Sequence, residues 1–470
     1  MIRAAFAKRI ISIKPVTPAL SKLNLTSTLS STRQFSNTSL NFGLSFSKTS
    51  TYDKSKKKGS GRPQNFANAI VKSNYKKKSP KDGALSKLSY FNPLSLKLNE
   101  VVKYEGLVLR KLYIAGAFVP GQMNELFPEP TTLIRERETK KLASFYESSL
   151  NSSSELNRLI LTGDKGIGKS TALAQFEAMA LSKESVLIPF TNTESLVDGS
   201  TDFKLNPETK LYDQQMSSKR LLKKLKNLNK EFLNELPLSK DFIPIYNTKS
   251  QQAATTLKVS DNATLLDLVK VGLGSKPTNA TFVLTTLLEE LSKQTKYPVY
   301  LTVDNFSTFV QNAMTKYRNN ANENIYFQKF TIIKTILDFV TGASKFAKGA
   351  VVVATHGSDK ENCTIPAALG DAEPDYYASF KDWDQEFTNL LRSNGGLQQL
   401  RVGKLSVDET ESILKNLIDF NVIHNQYQSK REIDELGFEA YLNKLAQRQY
   451  VVSGNGNASL LLKSAVLSYV

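Results

Sequence analysis

Residues 159–171 leave this chain few folds to choose from. They read Leu159-Ile160-Leu161-Thr162-Gly163-Asp164-Lys165-Gly166-Ile167-Gly168-Lys169-Ser170-Thr171. Leu159 to Leu161 is the end of a buried strand, Gly163 to Ser170 fits G-x-x-x-x-G-K-[ST], and residues 171–180 have the composition of a helix. Strand, glycine loop and helix in that order make a phosphate-binding P-loop. The glycines turn backbone N–H groups inward around phosphate oxygens, and the positive end of the helix dipole lies behind them. The expected nucleotide contacts are Gly163, Asp164, Lys165, Gly166, Ile167, Gly168, Lys169, Ser170 and Thr171. Lys169 would reach the β- and γ-phosphates and the Ser170 hydroxyl would sit on Mg2+. The competing reading is a glycine-rich strand-to-helix turn with no ligand.

A second stretch complements the first. Tyr297-Pro298-Val299-Tyr300-Leu301-Thr302-Val303-Asp304-Asn305 is an apolar strand ending in Asp, the Walker-B pattern. Asp304 would hold Mg2+ through its water shell, so Ser170 and Asp304 are the expected metal ligands. Related hydrolytic ATPases place Glu next, to polarise water. Asn305 stands there instead and cannot act as a base, so at most slow hydrolysis is expected.

Charge divides the chain. Residues 1–82 hold 17 Lys and Arg against Asp53 and Asp82, whereas residues 83–470 hold 45 against 42 acidic residues. The basic character therefore belongs to an N-terminal arm. Residues 1–52 have no acidic residue, and Ile2, Phe6, Ile10 and Ile13 fall at helical spacing, as in a mitochondrial transit peptide. Arg33-Gln34-Phe35-Ser36 resembles a matrix-protease site, so residues 1–35 are expected to be removed. Residues 36–84, with Lys56-Lys57-Lys58 and Lys76-Lys77-Lys78, read either as a solubilising linker or as an extended arm that neutralises RNA phosphates. No apolar run is long enough to span a membrane. One cysteine, Cys363, and two histidines, His356 and His424, exclude an internal disulfide and argue against a Cys/His zinc cluster.

The remaining pattern is α/β, with a P-loop nucleotide-binding domain over residues 85–400 and a C-terminal helical lid over 401–470. Leu107-Val108-Leu109 and Leu112-Tyr113-Ile114 read as short strands, and a helix is expected near residues 136–149. Thr132 to Arg135, just upstream of the loop, is a candidate for contact with a nucleotide base. Further strands are expected at residues 185–190 and 349–356, and a basic helix with one leucine face at 218–236. Thr355 or His356 ends its strand where a polar group can sense the γ-phosphate, though a histidine there is as readily structural. Residues 357–400 read as irregular, with Trp383 and the tyrosines at 376 and 377 packing a loop. Ser406 caps a helix through Asp408 and Glu409. The stretch Ser453-Gly454-Asn455-Gly456-Asn457 either aims the last helix at the nucleotide or is an ordinary interhelical loop.

Taken together, the acid-free leader, the basic arm, the Gly163–Ser170 loop, Leu211-Tyr212-Asp213-Gln214, Asp304 without a following Glu, and the helical lid resemble the death-associated-protein family. Fungal members are mitochondrial small-subunit ribosomal proteins. The resemblance covers roughly residues 90–470. It implies an AAA+-like P-loop NTPase domain with a parallel sheet in the head of the small subunit, bound GTP or GDP with Mg2+, and partners in small-subunit rRNA and other mitochondrial ribosomal proteins rather than a homo-oligomer. No Asn-Lys-x-Asp follows Asp304, so guanine preference rests on the resemblance alone. The alternative is an AAA+-like matrix ATPase that remodels protein or nucleic acid; Asn305 and the lack of a clear arginine finger weigh against it.

Overall fold

Alternation within four apolar runs decides where the core lies. They form the strands β1 (Arg158–Thr162), β2 (Val186–Phe190), β3 (Val299–Val303) and β4 (Gly349–Ala354), and β5 (Gln398–Arg401) joins them. All pair in parallel, in the order β5-β1-β4-β3-β2. A parallel sheet buries both faces, and successive side chains point to opposite sides. Accordingly Ile160, Ile188, Leu301 and Val353 join one core cluster, while Leu161, Leu187, Tyr300 and Val352 join the other.

The structure, a computed structural model, describes residues 80–467 except 93–96, 120–121, 240, 243–262, 275–278, 358–361, 374–375 and 424–426. The expected transit peptide, nearly all of the basic arm and His424 therefore lie outside the described residues. No described helix is long and apolar enough to cross a membrane.

One face of the sheet is covered by α1 (Gly106–Ala115), α2 (Glu136–Ser149) and α3 (Lys169–Leu181). The other is covered by α4 (Gln215–Glu235), α5 (Leu265–Leu273), α6 (Ala280–Lys293) and α7 (Thr331–Val340). The basic helix α4 does bury its leucines: Leu222, Leu225, Leu228 and Leu233 are all inside. Its Asn229 side chain bonds both the N–H and the C=O of Leu187, at 3.0 and 2.8 Å. That amide occupies the free edge of β2, where an unpaired strand would otherwise expose its backbone.

The C-terminal helices include α8 (Val407–Asp419), α9 (Phe438–Val452) and α10 (Ala458–Leu467). Ser406 and Glu409 form the expected capping box at the start of α8. Leu414, Leu417, Leu442 and Leu461 pack on Val101 and Leu133, which belong to a separate two-stranded antiparallel sheet, Val101–Lys103 with Thr131–Leu133.

Two expectations are corrected. Residues 107–109 and 112–114 are not strands but parts of α1. Val108, Leu109, Leu112 and Ala115 are buried while Leu107 and Tyr113 are exposed, which is helical rather than twofold spacing. Gly116, in the left-handed conformation at φ 79°, ends the helix. Residues 357–400 are also more regular than expected. They contain helices at Thr364–Leu369 and Gln385–Arg392 as well as β5. Trp383 is buried, but Tyr377 is fully exposed and Tyr376 only touches Trp383 with its ring edge.

Candidate nucleotide site

The loop after β1 turns back sharply before α3 begins. Gly163 has φ 134°, and a Cβ there would lie 2.6 Å from the Val402 carbonyl oxygen. Gly166 has φ 83°, and a Cβ there would meet Ser459 at 2.7 Å. Both positions need glycine for conformation and for space. Ile167 is buried in the core beneath the loop.

Lys169, at the first turn of α3, is buried and folds back over the loop. Its ammonium donates to the carbonyls of Gly163 at 2.8 Å and Asp164 at 2.6 Å. Next to it, Ser170 Oγ donates to Asp304 Oδ1 at 3.0 Å. The two residues singled out as metal ligands, 134 positions apart, thus meet at the C-terminal edge of the sheet. Burial raises the Asp304 carboxyl above the ordinary range. The Ser170 hydroxyl, the Asn305 N–H, His356 and Lys169 pull it back. None of the ion pairs among the described residues includes Asp304. A desolvated carboxylate beside a hydroxyl, at the wall of a cavity that Lys169 and His356 also line, is a donor set suited to a small hard cation that keeps most of its waters. No cluster of three or more His, Cys, Asp or Glu side chains among the described residues offers a denser metal cage.

Around these groups lies a cavity of about 690 Å3, walled by Gly168, Lys169, Ser170 and Thr171 on one side and by Asp304, Asn305 and His356 on another. Lys165 and Gly166 line it; Asp164 contributes its carbonyl to Lys169. Thr355 is buried, and its hydroxyl donates to the Leu161 carbonyl at 3.2 Å, which ties β4 to β1 beside the loop. His356 is half-buried, with its backbone N–H on Ser307 Oγ at 3.1 Å.

A smaller, mainly apolar cavity of about 150 Å3 adjoins it and shares Gly168, Thr171, Phe118 and Leu462. Thr132, Leu133 and Arg135 line it, as does Gln175. Gln175 is held by Thr132 Oγ1 at 2.6 Å and by the Leu133 carbonyl at 2.8 Å. Arg135 does not point into free space. It donates to Glu409 at 3.2 Å and to the carbonyls of Gly403 and Lys404, and pairs with Glu138 at 3.6 Å. It therefore ties the segment before α2 to the first turn of α8.

The last helix closes the site from above. Asn457 Nδ2 donates to the Lys165 carbonyl and the Ser459 N–H to the Gly166 carbonyl, both at 2.8 Å. The stretch ending at Asn457 thus delivers the α10 N-terminus to the glycine loop itself. Lys463, one turn further, adds a third cation to the cavity wall, after Lys165 and Lys169. Lys463, Ser459 and Glu194, which also lines the cavity, carry no signal in the sequence. They reach the site through a helix and a turn far from the motifs.

Residues 132–464 match the family described as mitochondrial ribosomal death-associated protein 3. The chain is similar to the small ribosomal subunit protein mS29 of Schizosaccharomyces pombe, 25% identical over 321 residues, 67% of this chain and 63% of that protein. It is also similar to the protein of the same name in Neurospora crassa, 22% identical over 375 residues, 77% of this chain and 73% of that protein. The chain thus spans somewhat under two thirds of the fission-yeast relative. The match over residues 132–464, well beyond half of the 470 residues, shows that this is a mitochondrial chain and that it belongs to the mitochondrial ribosomal death-associated protein 3 family.

Proposed function

We propose that this chain is a structural protein of the mitochondrial small ribosomal subunit, in its head, and that it holds GTP or GDP with Mg2+ as a core ligand. The single observation that carries the nucleotide reading is the Ser170–Asp304 contact at 3.0 Å, placed beside Lys169 at the mouth of one cavity. Phosphates would lie along residues 163–171, and a base would enter the smaller cavity beside Thr132 and Gln175. The sheet order, with the loop after β1 and the acid after β3, supports an AAA+-like P-loop NTPase domain. The helices from α8 to α10 would be its lid. The names of the fungal relatives support the ribosomal role.

Sedimentation of the tagged protein from mitochondria at high Mg2+ tests the assembly. Co-migration with the small subunit is expected. A free oligomer would instead favour a matrix ATPase that remodels protein or nucleic acid.

The rRNA contact is assigned to the basic arm, residues 36–84. Residues 83–470 hold 45 basic against 42 acidic side chains and offer little net attraction to phosphate. Binding through Z phosphates gives a slope of about −0.7Z to −0.9Z in log K against log salt. A chain starting at residue 83 should lose most of that slope while keeping nucleotide binding. Binding of rRNA fragments across a salt series, with and without residues 36–82, makes the comparison. Equal slopes would move the RNA contact to a folded surface such as α4.

A further inference from the structure

The position after Asp304 holds an amide, yet the cavity is not without a second carboxylate. Among the described residues that line it, Asp304 and Glu194 are the only acids. Asp304 is engaged with Ser170 Oγ and the Asn305 N–H. Glu194 opens the short 3-10 turn Glu194–Leu196 beyond the end of β2. The residue before it, Thr193, is buried, and its hydroxyl donates to the carbonyls of Asp304 at 3.1 Å and Asn305 at 3.0 Å. That hydroxyl fastens the turn to the end of β3.

Asn305 itself is held in an unusual way. It has φ 54°, the left-handed conformation that asparagine tolerates better than most residues. Its Nδ2 donates to Glu194 Oε1 at 2.8 Å. The reverse orientation of the amide would set two acceptors against each other, so the donor must face the carboxylate. Asn305 Oδ1 is consequently left buried with no partner. A buried acceptor without a donor is costly and marks a place where a water proton is wanted.

We propose that Glu194 is the carboxylate that activates water for whatever nucleoside triphosphate hydrolysis this site performs, with Asn305 orienting both. This rests on the nucleotide reading given above. The water would donate one proton to Asn305 Oδ1 as a hydrogen bond and the other to Glu194. Its oxygen forms the new bond to the γ-phosphorus. The bond from the γ-phosphorus to the β–γ bridging oxygen breaks, and its electron pair leaves with the diphosphate. Glu194 takes the proton and later returns it to bulk water, to which it is exposed. One of its oxygens is held by the Asn305 amide, so the other receives the proton, and Asn305 Oδ1, closed off in this arrangement, must open toward the water first, so turnover should be slow.

The experiment uses the full chain loaded with GTP and Mg2+. It compares phosphate release, the nucleotide retained on the purified protein and affinity for a non-hydrolysable GTP analogue. Glu194→Gln should slow phosphate release by about 100-fold or more, the usual range for loss of a general base. The variant should keep analogue affinity within about twofold, a span that is small beside a lost base, and should retain triphosphate where the wild type retains diphosphate. Glu194→Asp should recover part of the rate. Release by Glu194→Gln at the wild-type rate, or a wild type that holds GTP without converting it, overturns the proposal alone. A wild type that binds no analogue overturns the nucleotide reading beneath it.

Discussion

Lys169→Ala is expected to empty the site and to remove the thermal stabilisation that the proposed GTP and Mg2+ would confer on the wild type. Lys169 is buried against the loop, and its ammonium, resting on the Gly163 and Asp164 carbonyls, is the cation proposed to meet the β- and γ-phosphates. A ligand that binds only the folded state adds RT ln(1+[L]/Kd), about 4 kcal/mol at a thousandfold excess over Kd. Thermal melting with and without nucleotide, alongside the nucleotide retained by each protein, reads the effect. The wild type should shift upward and the variant should not. A variant that has lost its nucleotide yet melts with the loaded wild type would mean that the ligand is not structural.

Arg135→Ala should destabilise the fold by about 3–5 kcal/mol, the usual cost of removing one partner from a buried ion pair. The guanidinium lies between Glu138 and Glu409, whose side chains are only 6% and 9% exposed. It also fills the carbonyls of Gly403 and Lys404. Without it two carboxylates lose their countercharge inside the joint between α2 and α8. Urea denaturation at fixed nucleotide concentration gives the difference. Arg135→Lys should recover only part of it, because an ammonium cannot reproduce the fork that meets Glu409 with two nitrogens. A loss below about 1 kcal/mol would place the cluster among solvated surface pairs.

The parts of this site that could be read in advance share one property: their signal is local. The glycine loop is eight consecutive residues, and Asp304 is announced by the apolar run before it. The capping box at Ser406 and Glu409 spans one turn. Where the structure departs from expectation, the deciding information is distant or the local signal is ambiguous. In α1 the apolar triplets 107–109 and 112–114 each read as a short strand, whereas residues 106–115 together show helical spacing, and burial against α3 decides between them. β5 has a single apolar residue, Leu400, because it is an edge strand whose pairing with β1 supplies the rest. Glu194 sits in a polar stretch, and its place in the cavity depends on Thr193 binding across to another strand. The basic arm raises a different matter. Its reading rests on charge alone, and nearly all of it lies outside the described residues.

The position of β1 bears on how the protein is made. The strand that carries the glycine loop is flanked by β4 and β5, the last two strands of the sheet to be synthesised. Leu161 meets Thr355 across 194 residues of chain, and Thr162 meets Gln399 across 237. Contacts over such separations form slowly, because the entropy of closing the loop is lost before any pairing repays it. While residues 163–349 emerge, β1 has two bare edges and no neighbour of its own, a state open to mispairing and aggregation. The proposed nucleotide would come late to that interval, since Ser459 and Asn457, which hold the loop at Gly166 and Lys165, are synthesised later still. A ligand held by the finished site would therefore stabilise the chain only late in synthesis, and early protection would fall to whatever covers the nascent strand.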